Sequence, residues 1–167
     1  MILQTKRLWL RKLSVIDAPF FFELNNDPDV LKYTGNDPFV DEQAAIDFLN
    51  SYPQNNYEKY GYGRWSVMLK ETDDWLGWCG LRFSPDENET DIGYRFFKKH
   101  WGKGYATESA RACLEYGFEK LHLKRIVGRA MKDNIASLVV LQKIGMQYEK
   151  DFLMDGKYPA VQYFKNN

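Results

Sequence analysis

Cysteine and histidine are nearly absent, with two of each in 167 residues. Cys79 and Cys113 lie far apart, and neither His100 nor His122 stands near them. That excludes a disulfide framework and the paired ligand spacing of a zinc site, so no metal is expected. Long apolar runs are missing too. No stretch approaches the roughly 18 residues of a membrane span, and Met1 to Arg7 lacks the apolar segment of an export signal. With free thiols and no membrane segment, the chain reads as soluble and cytoplasmic. An excess of one charge sign is also lacking. The 23 basic and 23 acidic residues cancel, which argues against a polybasic nucleic-acid binder, so no nucleic-acid partner is expected. Repeats, linkers and low-complexity segments are absent.

What remains is globular. Hydrophobic residues at 44% and charged residues at 28% suit a packed core rather than disorder. A chain of this size buries roughly two-thirds of its unfolded surface, enough for one domain over residues 1–167 without disulfides. Aromatic residues are abundant, 16% of the chain, and serve either as core or as lining of a ligand groove.

Leu8, Leu10 and Leu13 alternate with Trp9, Arg11 and Lys12, a strand with one polar face. Ser14 is placed to cap a helix running through Leu24, with Pro19 in its first turn and Asn25 to Pro28 ending it. Asp41 caps a second helix, which Pro53-Gln54-Asn55-Asn56 is expected to end. Three strands follow, Arg64 to Leu69, Trp75 to Phe83 and Glu89 to Phe97, joined by polar turns. Residues 105 to 120 carry apolar side chains at three- and four-residue steps, the mark of a helix with one buried face. A short strand around Ile126 and Val127, a helix opened by Asn134 and stopped at Gly145, and two last strands around Met146 to Leu153 and Ala160 to Phe164 complete an α+β domain.

The stretch richest in chemistry is Asp91-Ile92-Gly93-Tyr94-Arg95-Phe96-Phe97, then Lys98-Lys99-His100-Trp101-Gly102-Lys103-Gly104-Tyr105-Ala106-Thr107-Glu108. A strand enters a loop with two glycines, and the loop opens a helix. The first turn of a helix presents unpaired N–H donors and the positive end of the macrodipole, which together receive phosphate. Gly-Lys-Gly alone also fits a plain turn. It is neither a P-loop nor a dinucleotide fingerprint, since Thr107 stands where a third glycine is required.

Several ordered motifs narrow the reading. Thr5-Lys6-Arg7-Leu8-Trp9-Leu10-Arg11, Trp75-Leu76-Gly77-Trp78-Cys79-Gly80-Leu81, Ile92-Gly93-Tyr94 with Trp101 to Glu108, and Asn134-Ile135-Ala136-Ser137 with Gln142 to Met146 follow one another at sensible spacing. Together they make nearly the whole chain resemble the GNAT superfamily of acetyl-CoA-dependent N-acetyltransferases, in the branch that includes the ribosomal-protein N-terminal acetyltransferases. The resemblance implies a central, mostly antiparallel mixed sheet with splayed middle strands flanked by helices. It implies acetyl-CoA as co-substrate, with the pyrophosphate on the amides of Gly102, Lys103, Gly104, Tyr105, Ala106 and Thr107. It also implies a pantetheine arm paired along Phe96 and Phe97, Lys98 near the phosphates, and Asn134 bonding the arm across the cleft. Such pairing is strand addition by a ligand.

The same resemblance implies direct attack of a primary amine, a protein N-terminus or a small molecule, on the thioester. It leaves a non-catalytic acyl-CoA sensor on the same scaffold as the alternative, and a homodimer is compatible with the fold. Two positions depart from the wider superfamily: Trp101 replaces a polar first loop residue, and Leu141 stands where many members carry an acidic tyrosine. Ser137 is then the candidate donor to the leaving thiolate, or else a serine bonded to its own helix. Asp91 is the candidate proton acceptor, acting through water or with a raised pKa, or else a solvated strand residue. Acceptor choice is expected to lie in Pro28 to Gln54, including Tyr33 to Asp37, and in Pro53 to Tyr62. Asp37, Asp41 and Glu42 there serve either to attract a cation or to cap helices, and Tyr57, Tyr60 and Tyr62 either to stack a ligand or to fill the core.

Overall fold

The computed structural model describes residues 1–167. In chain order the elements are β1 (Leu3–Gln4), β2 (Leu8–Lys12), a 3-10 turn (Val15–Asp17), α1 (Ala18–Asn26), α2 (Pro28–Leu31) and α3 (Glu42–Tyr60). Then come β3 (Arg64–Leu69), β4 (Trp75–Ser84), β5 (Glu89–Phe96), a second 3-10 turn (Lys98–His100) and α4 (Tyr105–Glu119). β6 (Arg125–Met131), α5 (Ile135–Lys143), β7 (Gln147–Met154) and β8 (Tyr158–Asn166) complete the chain. The strands form one eight-stranded sheet in the order β1-β2-β3-β4-β5-β6-β8-β7. It is an α+β fold with a mixed, mostly antiparallel sheet, as the sequence implied; the exception is the parallel pair β5–β6.

That pair is also the weak seam. β5 and β6 share only the register positions Asp91–Val127 and Ile92–Gly128, and from Gly93 onward β5 keeps its partner β4 but leaves β6. The middle strands therefore splay. α4 covers one face of the sheet through Ala110, Cys113, Leu114, Gly117 and Phe118, all buried, so its three- and four-residue pattern was a core face. Cys79 and Cys113 face each other inside this core with sulfurs 3.7 Å apart, both as free thiols. A second cluster joins α1 and α3 to Trp75 and Phe97 on the other side of the sheet. No helix is long and apolar enough to cross a membrane.

Two local expectations need correction. Asn25 to Pro28 does end α1, but Pro28 then opens the short α2, with the Asp27 carboxylate accepting from the Asp29 amide at 2.9 Å. Pro53 does not end its helix: α3 continues to Tyr60 and stops at Gly61, whose φ is +78°. A proline inside a helix leaves the carbonyl four residues earlier without its donor. Here the Gln54 side-chain amide supplies it, donating to the Leu49 carbonyl at 3.2 Å and to the Leu13 carbonyl at 3.0 Å. The repair also ties α3 to the end of the first long strand.

Gln54→Ala should therefore destabilise the protein by about 1–3 kcal/mol in urea unfolding, the cost of orphaned carbonyls. Asn55→Ala, at an exposed position, should stay within about 0.5 kcal/mol. In a Pro53→Ala background, where the backbone donor returns, the Gln54→Ala loss should shrink. An equal loss in both backgrounds refutes the repair.

Candidate active site

The loop from Trp101 to Thr107 is shaped by Gly104, which begins α4 at φ +80° with no side chain capping the helix. The N–H groups of Gly102 through Thr107 find no acceptor in the protein. Six consecutive amides at a helix start, with open space around Gly102, form a cradle for an anion. Trp101, the departure from the superfamily pattern, has a local role. Its indole nitrogen donates to the Phe96 carbonyl at 2.8 Å and fastens the loop to the end of β5.

The N-terminal segment holds the cradle from outside. The Glu108 carboxylate accepts from the Thr5 hydroxyl (2.5 Å), the Arg7 amide (2.9 Å) and the Arg7 guanidinium (2.7 Å). The same guanidinium donates to the Lys103 carbonyl at 2.9 Å and lies 4.6 Å from the centre of the Tyr105 ring. Glu108, in the first turn of α4, is thus the anchor of the Thr5-Lys6-Arg7 motif. Partial burial pushes its carboxyl up, but the hydrogen bonds from Thr5 and Arg7 outweigh that and hold it below the usual range.

A cavity of about 1350 Å³ runs from this loop along the splay to the opposite face of the sheet. It brings together Asp91, Phe96, Gly102, Gly104, Tyr105, Ala106, Thr107, Asn134 and Ser137 from the sequence-derived set. Asn134 caps α5, its side-chain oxygen accepting from the Ser137 amide at 3.2 Å, while its amide nitrogen has no protein partner. The Ser137 hydroxyl bonds to nothing in the protein, unlike that of Ser109, which folds back on the Tyr105 carbonyl at 2.8 Å. Tyr94 bridges the splay, donating to the Ser137 carbonyl at 3.0 Å.

Three assigned residues fall outside the lining. Phe97 donates its N–H to the Leu76 carbonyl at 3.2 Å and accepts from the His100 amide at 2.9 Å, and its buried ring packs on Trp75. Its main chain therefore faces β4, and by ladder alternation it is Phe96 that faces the gap. Lys98 points outward to an exposed ion pair with Asp29 at 2.7 Å. Lys103 joins the site through its backbone rather than its charge. Tyr57, Tyr60 and Tyr62 do not line the cavity. Tyr57 accepts from the Leu13 amide at 3.0 Å, Tyr62 bonds Thr90 at 2.6 Å, and Tyr60 packs on Phe83. Tyr33, Asn36, Asp37, Phe48 and Tyr52 do line it, and from the second stretch Pro53 and Asn56.

The floor opposite the cradle is a row of arginines that the sequence reading missed. Arg64 pairs in register with Gly80, and Gly80 with Gly93. The Arg64 guanidinium lies across Gly93, where an added Cβ would stand 2.6 Å from its nitrogen, and reaches the Asp91 carboxylate at 2.7 Å. Arg82 meets the other Asp91 oxygen at 3.1 Å. Burial raises the Asp91 carboxyl, but Arg64 and Arg82 overcome it and hold it below the ordinary value. Asp91 is therefore a doubly paired anion, without the raised pKa or the solvated position that the sequence reading offered. Arg95 lies beside them, bonded to the side-chain oxygens of Asn25 and, at 3.0 Å, Asn36. Burial and the neighbouring Arg64 bring Arg95 down to about 10, still charged near neutrality. The available signal was the alternation: residues 91, 93 and 95 share one strand face, as do 78, 80 and 82.

Glu108 gives the clamp a pH signature. Because its folded carboxyl lies below the unfolded value, its contribution is complete above about pH 4.3 and disappears as pH falls through the folded value. The urea midpoints of the wild type and Glu108→Gln should differ at pH 7 and converge in acid, once pH has fallen through the folded value. A gap that persists unchanged into acid contradicts the clamp.

A family model described as an acetyltransferase (GNAT) domain matches residues 7–147. The N-acetyltransferase p20 of Bacillus licheniformis, itself uncharacterized, is 36% identical over 148 residues, covering 88% of this chain and 83% of the relative. The crystal structure of a GNAT-family acetyltransferase from Bacillus anthracis superposes with a TM-score of 0.85 at 28% identity, covering 98% and 96% of the two chains. Spermidine N-acetyltransferase from Vibrio cholerae, solved with CoA and spermine, shares the fold at TM-score 0.81 and 19% identity, over 97% and 96% of the chains. With the family model spanning most of the sequence, the chain belongs to the GNAT family of acetyl-CoA-dependent acetyltransferases.

Proposed function

We propose that this protein transfers the acetyl group of acetyl-CoA to a primary amine in a ternary complex. One observation carries the reading: the partnerless amides of Gly102 to Thr107, the free edge of β5 and the arginine-lined floor open into a single cavity. When bound, acetyl-CoA supplies an activated thioester. The residues fit it by chemistry. Six N–H donors suit a pyrophosphate, the edge from Gly93 to Phe96 suits an amide-bearing arm, and the Asn134 amide nitrogen is free to bond that arm from α5.

In this reading Ser137 passes a proton to the departing thiolate and regains one from the cavity water that takes it from the amine, because its hydroxyl is unengaged and stands beside the cleft. Tyr94 fixes that helix turn by bonding the Ser137 carbonyl. Asp91 acts as a positioning residue that holds Arg64 and Arg82, and the amine arrives neutral or loses its proton to cavity water. The continuous cavity and the free hydroxyl favour turnover over a sensing role.

Release of free thiol from acetyl-CoA with an amine panel tests the proposal; binding without release under every amine leaves only the sensor. Ser137→Ala should lower kcat by about 10- to 100-fold with acetyl-CoA KM nearly unchanged. Asp91→Asn separates its two roles. Loss of a positioning carboxylate raises the amine KM and leaves the rise of rate with pH in place. Loss of a proton acceptor lowers kcat at saturating amine and flattens that rise, and this second pattern refutes the positioning role.

A further inference from the structure

The acceptor side of the cavity offers donors and positive charge with little to neutralise them. Arg64 and Arg82 share one carboxylate, Asp91. Arg95 has only the neutral side chains of Asn25 and Asn36, so three cations on adjacent strands face a single anion. The guanidinium carbons of Arg64 and Arg95 lie 5.5 and 5.4 Å from the Trp78 ring centre, packed against the same indole. The Trp78 indole nitrogen is itself buried without an acceptor. Leaving a largely buried guanidinium without a counter-ion is costly, since Coulomb energy normally offsets its desolvation. Arg129, the other arginine of the cavity wall, is already matched by Glu87 and Glu89.

We infer that the amine acceptor carries a second, anionic group, a carboxylate or phosphate, which seats on the Arg95 guanidinium against Trp78. This rests on the assignment of that side of the cavity to the acceptor. A planar guanidinium fork matches either oxyanion bidentately. The acidic residues of the lining do not reverse the sign. Asp37, Asp86 and Asp155 are exposed at the mouth, where solvent screens them, and Asp29 is held by Lys98. Those mouth carboxylates suit the ammonium end of the same molecule. A polycation is the wrong partner for this floor, although the fold accommodates one elsewhere in the family.

Direct binding tests this without requiring turnover. 3-Aminopropanoate, its amide (which keeps the ammonium but lacks the anion), 2-aminoethylphosphonate and spermidine are each titrated calorimetrically into the protein saturated with CoA. The carboxylate or the phosphonate should bind at least about tenfold tighter than the amide, and the better of the two identifies the oxyanion. In Arg95→Gln that ratio should fall towards one, and Arg95→Lys should keep part of it. An amide that binds as tightly as its acid, or spermidine binding tightest, overturns the inference. The wild-type ratio decides the matter even where the variants fold poorly. Thiol release is a separate readout: a clear anion preference without release would sink the catalytic proposal and leave this one standing.

Discussion

The guanidinium of Arg7 reaches three partners at once: the Glu108 carboxylate, the Lys103 carbonyl and the face of Tyr105. Each belongs to the bend that starts α4, while Arg7 belongs to the segment leading into β2. The contact joins parts of the chain that are remote in sequence, and it fixes the loop whose free amides define the cradle. A Gly-Lys-Gly bend with no such tie would lose its orientation to backbone entropy. Glu108 completes the arrangement by taking the Thr5 hydroxyl and the Arg7 amide.

A comparable economy of atoms governs the opposite side of the sheet. Glycines at 80 and 93 leave room for one arginine to cross from β3 to β5, so the Ile-Gly-Tyr motif serves the floor as well as the strand. Asp91 is then committed to arginines on two neighbouring strands. Its low carboxyl pKa follows from that geometry.

Much of this architecture is legible in the residues. The alternation of Leu8 and Leu10, the apolar stripe of α4 and the Asp41 cap are local patterns, and local patterns survive folding. The cradle was legible because glycines before a helix start occur together with the motifs on either side of them; Gly-Lys-Gly alone fits a plain turn as well. Pro53 misled because its rescue comes from the Gln54 side chain, which also spans to Leu13. Phe97 misled because the side of a strand to which an amide turns is set by the neighbouring ladder, and Lys98 because its partner, Asp29, comes from a distant helix. The arginine floor was hidden for the same reason: Arg64, Arg82 and Arg95 meet only through the registers of β3, β4 and β5.

The two-position contact between β5 and β6 divides the sheet into five strands on one side and three on the other. Hydrogen bonding along the rest of that boundary is left for something other than the polypeptide to supply. An arm lodged there would act as a suture as well as a cargo, and the cohesion of the two halves would become tied to occupancy. The stability of the fold would then rise with the concentration of its acyl donor, because the two-position contact is the boundary with the fewest strand bonds across it.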